Sequence, residues 1–206
     1  LQYDWREFKG VRIAGDALVV QSADGTRETL WSTWDAIPDE IRTNKVFWSM
    51  TNSLEYSAAD GAYYISIKEV NTVAKVDATT GETLWLLGDE EADVAGGLFV
   101  GQHGLQRTDD GLMLFDNRGD KYGSRVMTLD IDEAGGTAEV TALYYGEEAK
   151  YTLSYGDVLQ QGSDRILAWG EEGRIQRIDA DGSLRQEIYL PDTNGVAFVS
   201  WVSALQ

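Results

Sequence analysis

The sequence predicts an all-β chain built as a β-propeller of four-stranded antiparallel blades, and three observations carry that prediction. First, two apolar landmarks recur together. Tyr63-Tyr64-Ile65-Ser66-Ile67 returns as Leu112-Met113-Leu114-Phe115-Asp116 and as Arg165-Ile166-Leu167-Ala168-Trp169, at offsets of 49 and 53. Val73-Ala74-Lys75-Val76-Asp77 returns as Val126-Met127-Thr128-Leu129-Asp130 and Ile175-Gln176-Arg177-Ile178-Asp179, at offsets of 53 and 49. Second, turn pairs part the apolar runs: Asp60-Gly61, Thr80-Gly81, Asp110-Gly111, Gly135-Gly136 and Asp181-Gly182. Such pairs tolerate the positive φ of tight hairpin turns. Third, 22 glycines and 7 tryptophans stand against 2 prolines, and helical periodicity is weak throughout. Repeats of roughly 40 to 50 residues holding four short strands are what stacked propeller blades require.

The 206 residues therefore read as a single propeller domain or a fragment of one. A partial blade occupies residues 1–38, where Asp24-Gly25-Thr26-Arg27-Glu28-Thr29-Leu30-Trp31 echoes Thr80-Gly81-Glu82-Thr83-Leu84-Trp85. Three fuller blades follow near 47–88, 100–146 and 152–190. The last stretch, 196–206, opens with Val196-Ala197-Phe198-Val199-Ser200-Trp201-Val202 and reads as a closing strand or the first strand of a further blade. Either that strand completes the first blade, or the ring is incomplete at its ends, since an open arc leaves two apolar faces wet. Trp31 and Trp85 occupy equivalent points in their units and are taken as blade-to-blade packing. Trp48 is placed among the substrate-binding residues, because an aromatic near a channel holds a flat ligand, and Trp169 is left open between the two roles.

Composition narrows the partners. Seventeen basic against thirty-five acidic side chains leave a formal charge of −18, which repels phosphate backbones and disfavours nucleic acid. Cysteine is absent, so there is no disulfide frame and no thiolate site. With one histidine, no metal site is expected, and the acid-rich turn Asp89-Glu90-Glu91-Ala92-Asp93 is read as an exposed loop rather than a calcium site. No apolar run approaches the length of a membrane helix, so no membrane insertion is expected. No glycine-rich run ends in Lys-Ser or Lys-Thr, so nucleotide hydrolysis is not indicated.

The single histidine, His103, directly precedes a predicted innermost strand, and innermost strands line the channel. Asn52 lies 51 residues earlier and enters the same region from the preceding blade, with Met50 on the same strand face by the two-residue period. Lys68 and Arg125 are cations in an acidic chain that reach toward this end, the local exception that an anionic substrate needs.

These residues sit in runs that resemble the bacterial arylsulfate sulfotransferases, the propeller enzymes that work without a nucleotide sulfate donor. Gly101-Gln102-His103, then Gly111-Leu112-Met113-Leu114-Phe115-Asp116-Asn117-Arg118-Gly119, then Ser124-Arg125 carry the likeness. Trp34-Asp35-Ala36-Ile37-Pro38, Asn52-Ser53, Thr80 to Gly88, Leu167-Ala168-Trp169-Gly170 and Ile178 to Gly182 fall in the family's order, spanning about residues 28–185. The resemblance implies that His103 attacks the sulfur of an aryl sulfate and passes the sulfuryl group to a phenolic acceptor. It implies Lys68 as a charge partner, Asn52 as an orienting group, Arg125 and Met50 around the substrate, where Trp48 is placed on the separate ground given above, no cofactor, and a periplasmic or secreted location.

Two positions depart from the family. Met50 stands where relatives have a histidine, and Lys68 where they have an arginine. Methionine has no proton for a departing phenolate, and lysine lacks the planar two-pronged grip of guanidinium. Sulfates of acidic phenols are therefore the expected donors. The competing reading is a non-catalytic propeller that binds a ligand or a protein, since Val76-Asp77-Ala78-Thr79-Thr80-Gly81-Glu82-Thr83-Leu84-Trp85 also resembles the repeat of quinoprotein-type propellers.

Overall fold

The computed structural model describes residues 1–43, 45–88, 94–95, 99–109, 111–118, 123–146, 151–190 and 195–200. The chain is all-β and its sheets are antiparallel meanders of the propeller kind. The first meander has three strands, β1 (Gln2–Phe8), β2 (Val11–Gln21) and β3 (Arg27–Ser32), followed by a single helical turn, α1 (Thr33–Ala36). The next has four: β4 (Thr51–Ser57), β5 (Ala62–Ile67), β6 (Thr72–Asp77) and β7 (Thr83–Gly88). A two-residue strand, β8 (Val94–Ala95), runs parallel to β7 on one side and to the outer strand of the following meander on the other. That meander comprises β9 (His103–Thr108), β10 (Gly111–Asp116), β11 (Arg125–Asp132) and β12 (Thr137–Tyr144). The last comprises β13 (Asp157–Gln161), β14 (Asp164–Trp169), β15 (Arg174–Ile178) and β16 (Leu184–Tyr189). Of the closing strand expected over 196–206, residues 196–200 carry no strand and 201–206 lie outside the described residues.

The two repeating landmarks are the second and third strands of each meander. Tyr63 faces Val76, Leu112 faces Leu129, and Leu167 faces Gln176 across them. In the two middle meanders these strands are buried on both faces because neighbouring sheets cover them, whereas β14 and β15 are covered on one side only. On β10, Leu112 and Leu114 pack toward Tyr64 and Trp85 of the preceding meander. Met113 and Phe115, one position out of phase, pack toward Leu167 and Trp169 of the following one. An edge-to-face pair crosses the second of these seams, Phe115 with Trp169 at 5.3 Å, while Tyr64 and Trp85 pair edge-to-face at 5.9 Å within the preceding meander, on the face that meets Leu112 and Leu114. Each contributes about 0.5–1.5 kcal/mol beyond the area it buries.

Trp31 spans the first seam, donating from Nε1 to Thr83 Oγ1 at 2.9 Å. In the turn at that seam Gly81 has φ +74°, and a Cβ there would meet the Leu30 carbonyl oxygen at 1.9 Å. The five turn pairs read from the sequence all end in a glycine at positive φ, from +59° at Gly61 to +133° at Gly111.

The innermost strands β4, β9 and β13 lie side by side without a continuous backbone ladder, and side chains take the place of the missing partners. Ser53 Oγ accepts from Leu105 N at 3.2 Å, Glu55 Oε2 from Arg107 N at 2.7 Å, and Gln106 Oε1 from Gln160 N at 2.6 Å. These bonds hold the three strands in parallel register, with the starts of β4, β9 and β13 at one end of the arc. Among the described residues no helix is long and apolar enough to cross a membrane.

Candidate active site

His103 is the first residue of β9, half-buried at the end of the arc where β4 and β13 also start. Its neighbour Gly104 has φ +54°, and a Cβ at that position would lie 2.6 Å from the Asp157 Cα. Only glycine lets β9 and β13 approach so closely beside the imidazole.

The loop leading into His103 is bolted to the meanders on both sides. Asn52 donates from Nδ2 to the Gln102 carbonyl at 2.6 Å, and Asn71 Oδ1 accepts from Gly101 N at 2.9 Å. The fully buried Gln102 donates from Nε2 to the carbonyls of Ile67 and Thr72 at 3.3 and 3.1 Å. From the other side, Asp116 Oδ1 accepts from Val100 N at 2.9 Å. The imidazole Nδ1 then lies 3.0 Å from the Gly101 carbonyl oxygen and 2.8 Å from Asn117 Oδ1.

Burial is the main force holding the His103 pKa below its ordinary 6.5, and the nearby Lys68 charge pushes the same way, against the bonds to Asn117 and Gly101. Lys68 follows the end of β5, and its Nζ stands 3.9 Å from Glu69 Oε1, a loose pairing. Glu69 also holds Lys45 with its other oxygen. A cation so weakly engaged keeps its field for a nearby anion.

Met50 is 43% exposed and sits in the left-handed region at φ +47°. The flanking residues hold it there. Ser49 Oγ and Thr51 N both donate to the buried Asp16 Oδ2, at 2.6 and 2.7 Å, and the Met50 carbonyl accepts from Lys68 N at 3.3 Å. A non-glycine residue held at positive φ by an over-determined frame is a pattern that clusters at functional sites.

Two residues expected around the substrate are engaged within the protein. Arg125 starts β11 directly opposite Asp116, donates from Nε to Asp116 Oδ2 at 2.8 Å, and is 9% exposed, so its charge is committed to a buried carboxylate. Trp48 is fully buried, packed edge-to-face on Trp34 at 5.2 Å. Its large apolar face fills the seam between the first two meanders instead of facing a ligand. Trp169, left open, is also core at 2% exposure. The structure thus brings His103, Lys68 and Asn52 together through one loop, with Met50 at its edge.

Sequence reasoning missed Asn117, Asp116 and Asp16. The Asp116–Arg125 pair had a legible signal, since the repeat places these residues at facing ends of one hairpin. The acid-rich turn 89–93 lies outside the described residues. A groove of about 560 Å³ lined by Tyr64, Trp85, Arg107 and Glu133 opens at the hairpin-turn end and contains none of the site residues.

A family model described as Arylsulfotransferase (ASST) matches residues 19–177. No curated protein matches. Among solved structures, the chain is similar to the Cps50 (Swd1) β-propeller domain of Myceliophteria thermophila, with 15% identity and a TM-score of 0.52, covering 87% of this chain and 55% of that one. It is also similar to Saccharomyces cerevisiae Sqt1, with 13% identity and a TM-score of 0.51, over 88% of this chain and 48% of the other. A protein of unknown function from Bacteroides caccae shares 13% identity with a TM-score of 0.51, over 90% and 59%. The chain spans about half the length of these three structures. At such identities the likeness is one of fold.

Proposed function

Because this chain belongs to the arylsulfotransferase family, whose model covers most of it, we propose that it transfers a sulfuryl group from an aryl sulfate to a phenol through His103. The observation that carries the reading is a half-buried imidazole, the only one in the chain, whose burial disfavours its charged form and which feels the charge of the loosely paired Lys68. A neutral imidazole nitrogen is a good nucleophile near pH 7, and two successive displacements need no external cofactor.

In the first step the Nε2 lone pair attacks sulfur, the bond from sulfur to the aryl oxygen breaks, and the phenolate leaves with that electron pair. The ring then carries the sulfuryl group as a cationic imidazolium. In the second step an acceptor phenol oxygen attacks sulfur, the N–S bond breaks, the imidazole is regenerated, and the phenol proton passes to water. Lys68 offsets the negative charge on the sulfuryl oxygens. Asn52 acts through the Gln102 carbonyl, holding the loop that carries the imidazole.

Incubation with the sulfate of an acidic phenol, followed by mass spectrometry, tests this directly. A sulfuryl adduct on the peptide containing His103, discharged by added phenol, is the expected result. Folded protein that yields neither adduct nor released phenol defeats the reading, and leaves the propeller as a binding scaffold.

The donor range follows from Met50, which has no proton to give. Met50→His restores a donor at an exposed position whose left-handed backbone histidine tolerates better than most side chains. The variant is expected to speed transfer from sulfates of weakly acidic phenols by about 10-fold or more, with little change for acidic ones, since general acid catalysis contributes about 10²-fold or more. Equal rates for both donor classes in the two proteins would remove Met50 from the leaving-group side.

A further inference from the structure

We infer that Asn117 is a positioning residue that selects the tautomer of His103, keeping the ring proton on Nδ1 and the lone pair on Nε2. The catalytic consequence rests on the function proposed above, but the tautomer itself does not.

A neutral imidazole free in water prefers its proton on Nε2, the form in which that nitrogen has no lone pair to offer. The site reverses this preference by presenting acceptors to Nδ1. One is the Gly101 carbonyl, which is an acceptor whatever its surroundings. The other is Asn117, whose amide has both an oxygen and an NH2 to offer, so its orientation decides the outcome.

That orientation is set from the third four-stranded meander. Asn117 Nδ2 lies 2.7 Å from the Thr152 carbonyl and 2.9 Å from the Tyr155 carbonyl. Two carbonyl oxygens at hydrogen-bond distance accept only from an NH2 group, so Oδ1 is the atom turned to the imidazole at 2.8 Å. A flipped amide would set its oxygen against both carbonyls and its NH2 against the ring.

Asn117 is 2% exposed, so water has little access to compete for either end. The segment that holds it is itself fixed. Thr152 N donates to Ser124 Oγ at 2.9 Å, and Tyr155 is held at φ +65°. The same oxygen that selects the tautomer also accepts from Nδ1–H once the ring becomes an imidazolium, so it favours the charged intermediate.

The single histidine makes the tautomer readable by 15N NMR of imidazole-labelled protein, without substrate and without assignment. Unmodified protein above the imidazole pKa is expected to show a protonated Nδ1 and a pyridine-like Nε2; a protonated Nε2 overturns the inference. In Asn117→Ala the two signals are expected to move toward the solution preference, and kcat to fall by about 10-fold or more with KM little changed. That loss stays below the roughly 10⁴-fold that a wrong tautomer costs a triad histidine, because Gly101 still accepts. Unchanged nitrogen shifts in folded Asn117→Ala would assign the selection to Gly101 and overturn the role of Asn117.

Asn117→Asp gives a second reading. A carboxylate facing Nδ1–H is expected to raise the His103 midpoint by about one pH unit or more, and an unmoved midpoint counts against the contact. The expected tautomer in a protein that forms no sulfuryl adduct would sustain this inference while removing the proposed function.

Discussion

Asparagine in place of His103 is expected to abolish turnover while the protein still folds. The amide nitrogen has no available lone pair, and nothing else described at this end of the arc is a comparable nucleophile. Loss of a nucleophile costs about 10³-fold or more in kcat. The fold should tolerate the change. His103 is half-buried, its polar ties are to Gly101 and Asn117, and losing such a bond costs about 1 kcal/mol.

The same assignment fixes the pH dependence. Burial first, and Lys68 second, hold the folded pKa below 6.5, so the neutral ring predominates at pH 6.5 and above. In the free enzyme the acidic limb of kcat/KM should therefore have its midpoint below 6.5. Stability runs with it. The unfolded chain takes up the proton more readily, so the contribution of His103 is present above pH 6.5 and is lost as pH falls through the folded pKa. A midpoint at or above 6.5, or turnover persisting in His103→Asn, would remove the imidazole from the chemistry.

The largest effect on stability is expected at Asp116. Its carboxylate is fully buried, accepts from Val100 N and Arg118 N through Oδ1, and pairs with Arg125 through Oδ2. Burial pushes its pKa up, against the pull of Val100 N–H and Arg125. Asp116→Ala takes the acceptor from Val100 N and the carboxylate from the buried Arg125, while Arg118 N keeps the Val100 carbonyl at 2.9 Å, and removing one partner of a buried pair costs about 3–5 kcal/mol. For a chain of this size that lowers Tm by roughly 10 °C.

The double variant Asp116→Ala with Arg125→Met should recover part of the loss, since it removes the buried charge along with its carboxylate partner. Denaturant titration of the three proteins measures both effects. A cost below about 1 kcal/mol for Asp116→Ala would show that the pair does not hold the loop carrying His103.

Arg125 also marks where reading the chain falls short. As a cation in an acidic sequence it is expected to contact the substrate, yet the hairpin register sets it opposite Asp116, whose carboxylate it binds. Trp48 failed similarly, because an aromatic before an innermost strand has the same signature in a channel as in a seam. His103 and Asn52 were legible from the repeat, since equivalent positions of successive blades meet at one end. Asn117 was visible only as part of a motif. Its partners are the backbone carbonyls of Thr152 and Tyr155, 35 and 38 residues away, and a carbonyl leaves no trace in residue identity.

The all-β class and the paired strands and turns of the repeats were determined by the amino-acid sequence alone. Two-residue alternation and glycine at positive φ are local properties, and repetition at about 50 residues multiplies them. What only the tertiary structure decided is which polar groups face the imidazole and which are consumed by one another. Hydrogen bonds act over about 3 Å, so such pairings depend on how three meanders meet, a distance no single repeat encodes.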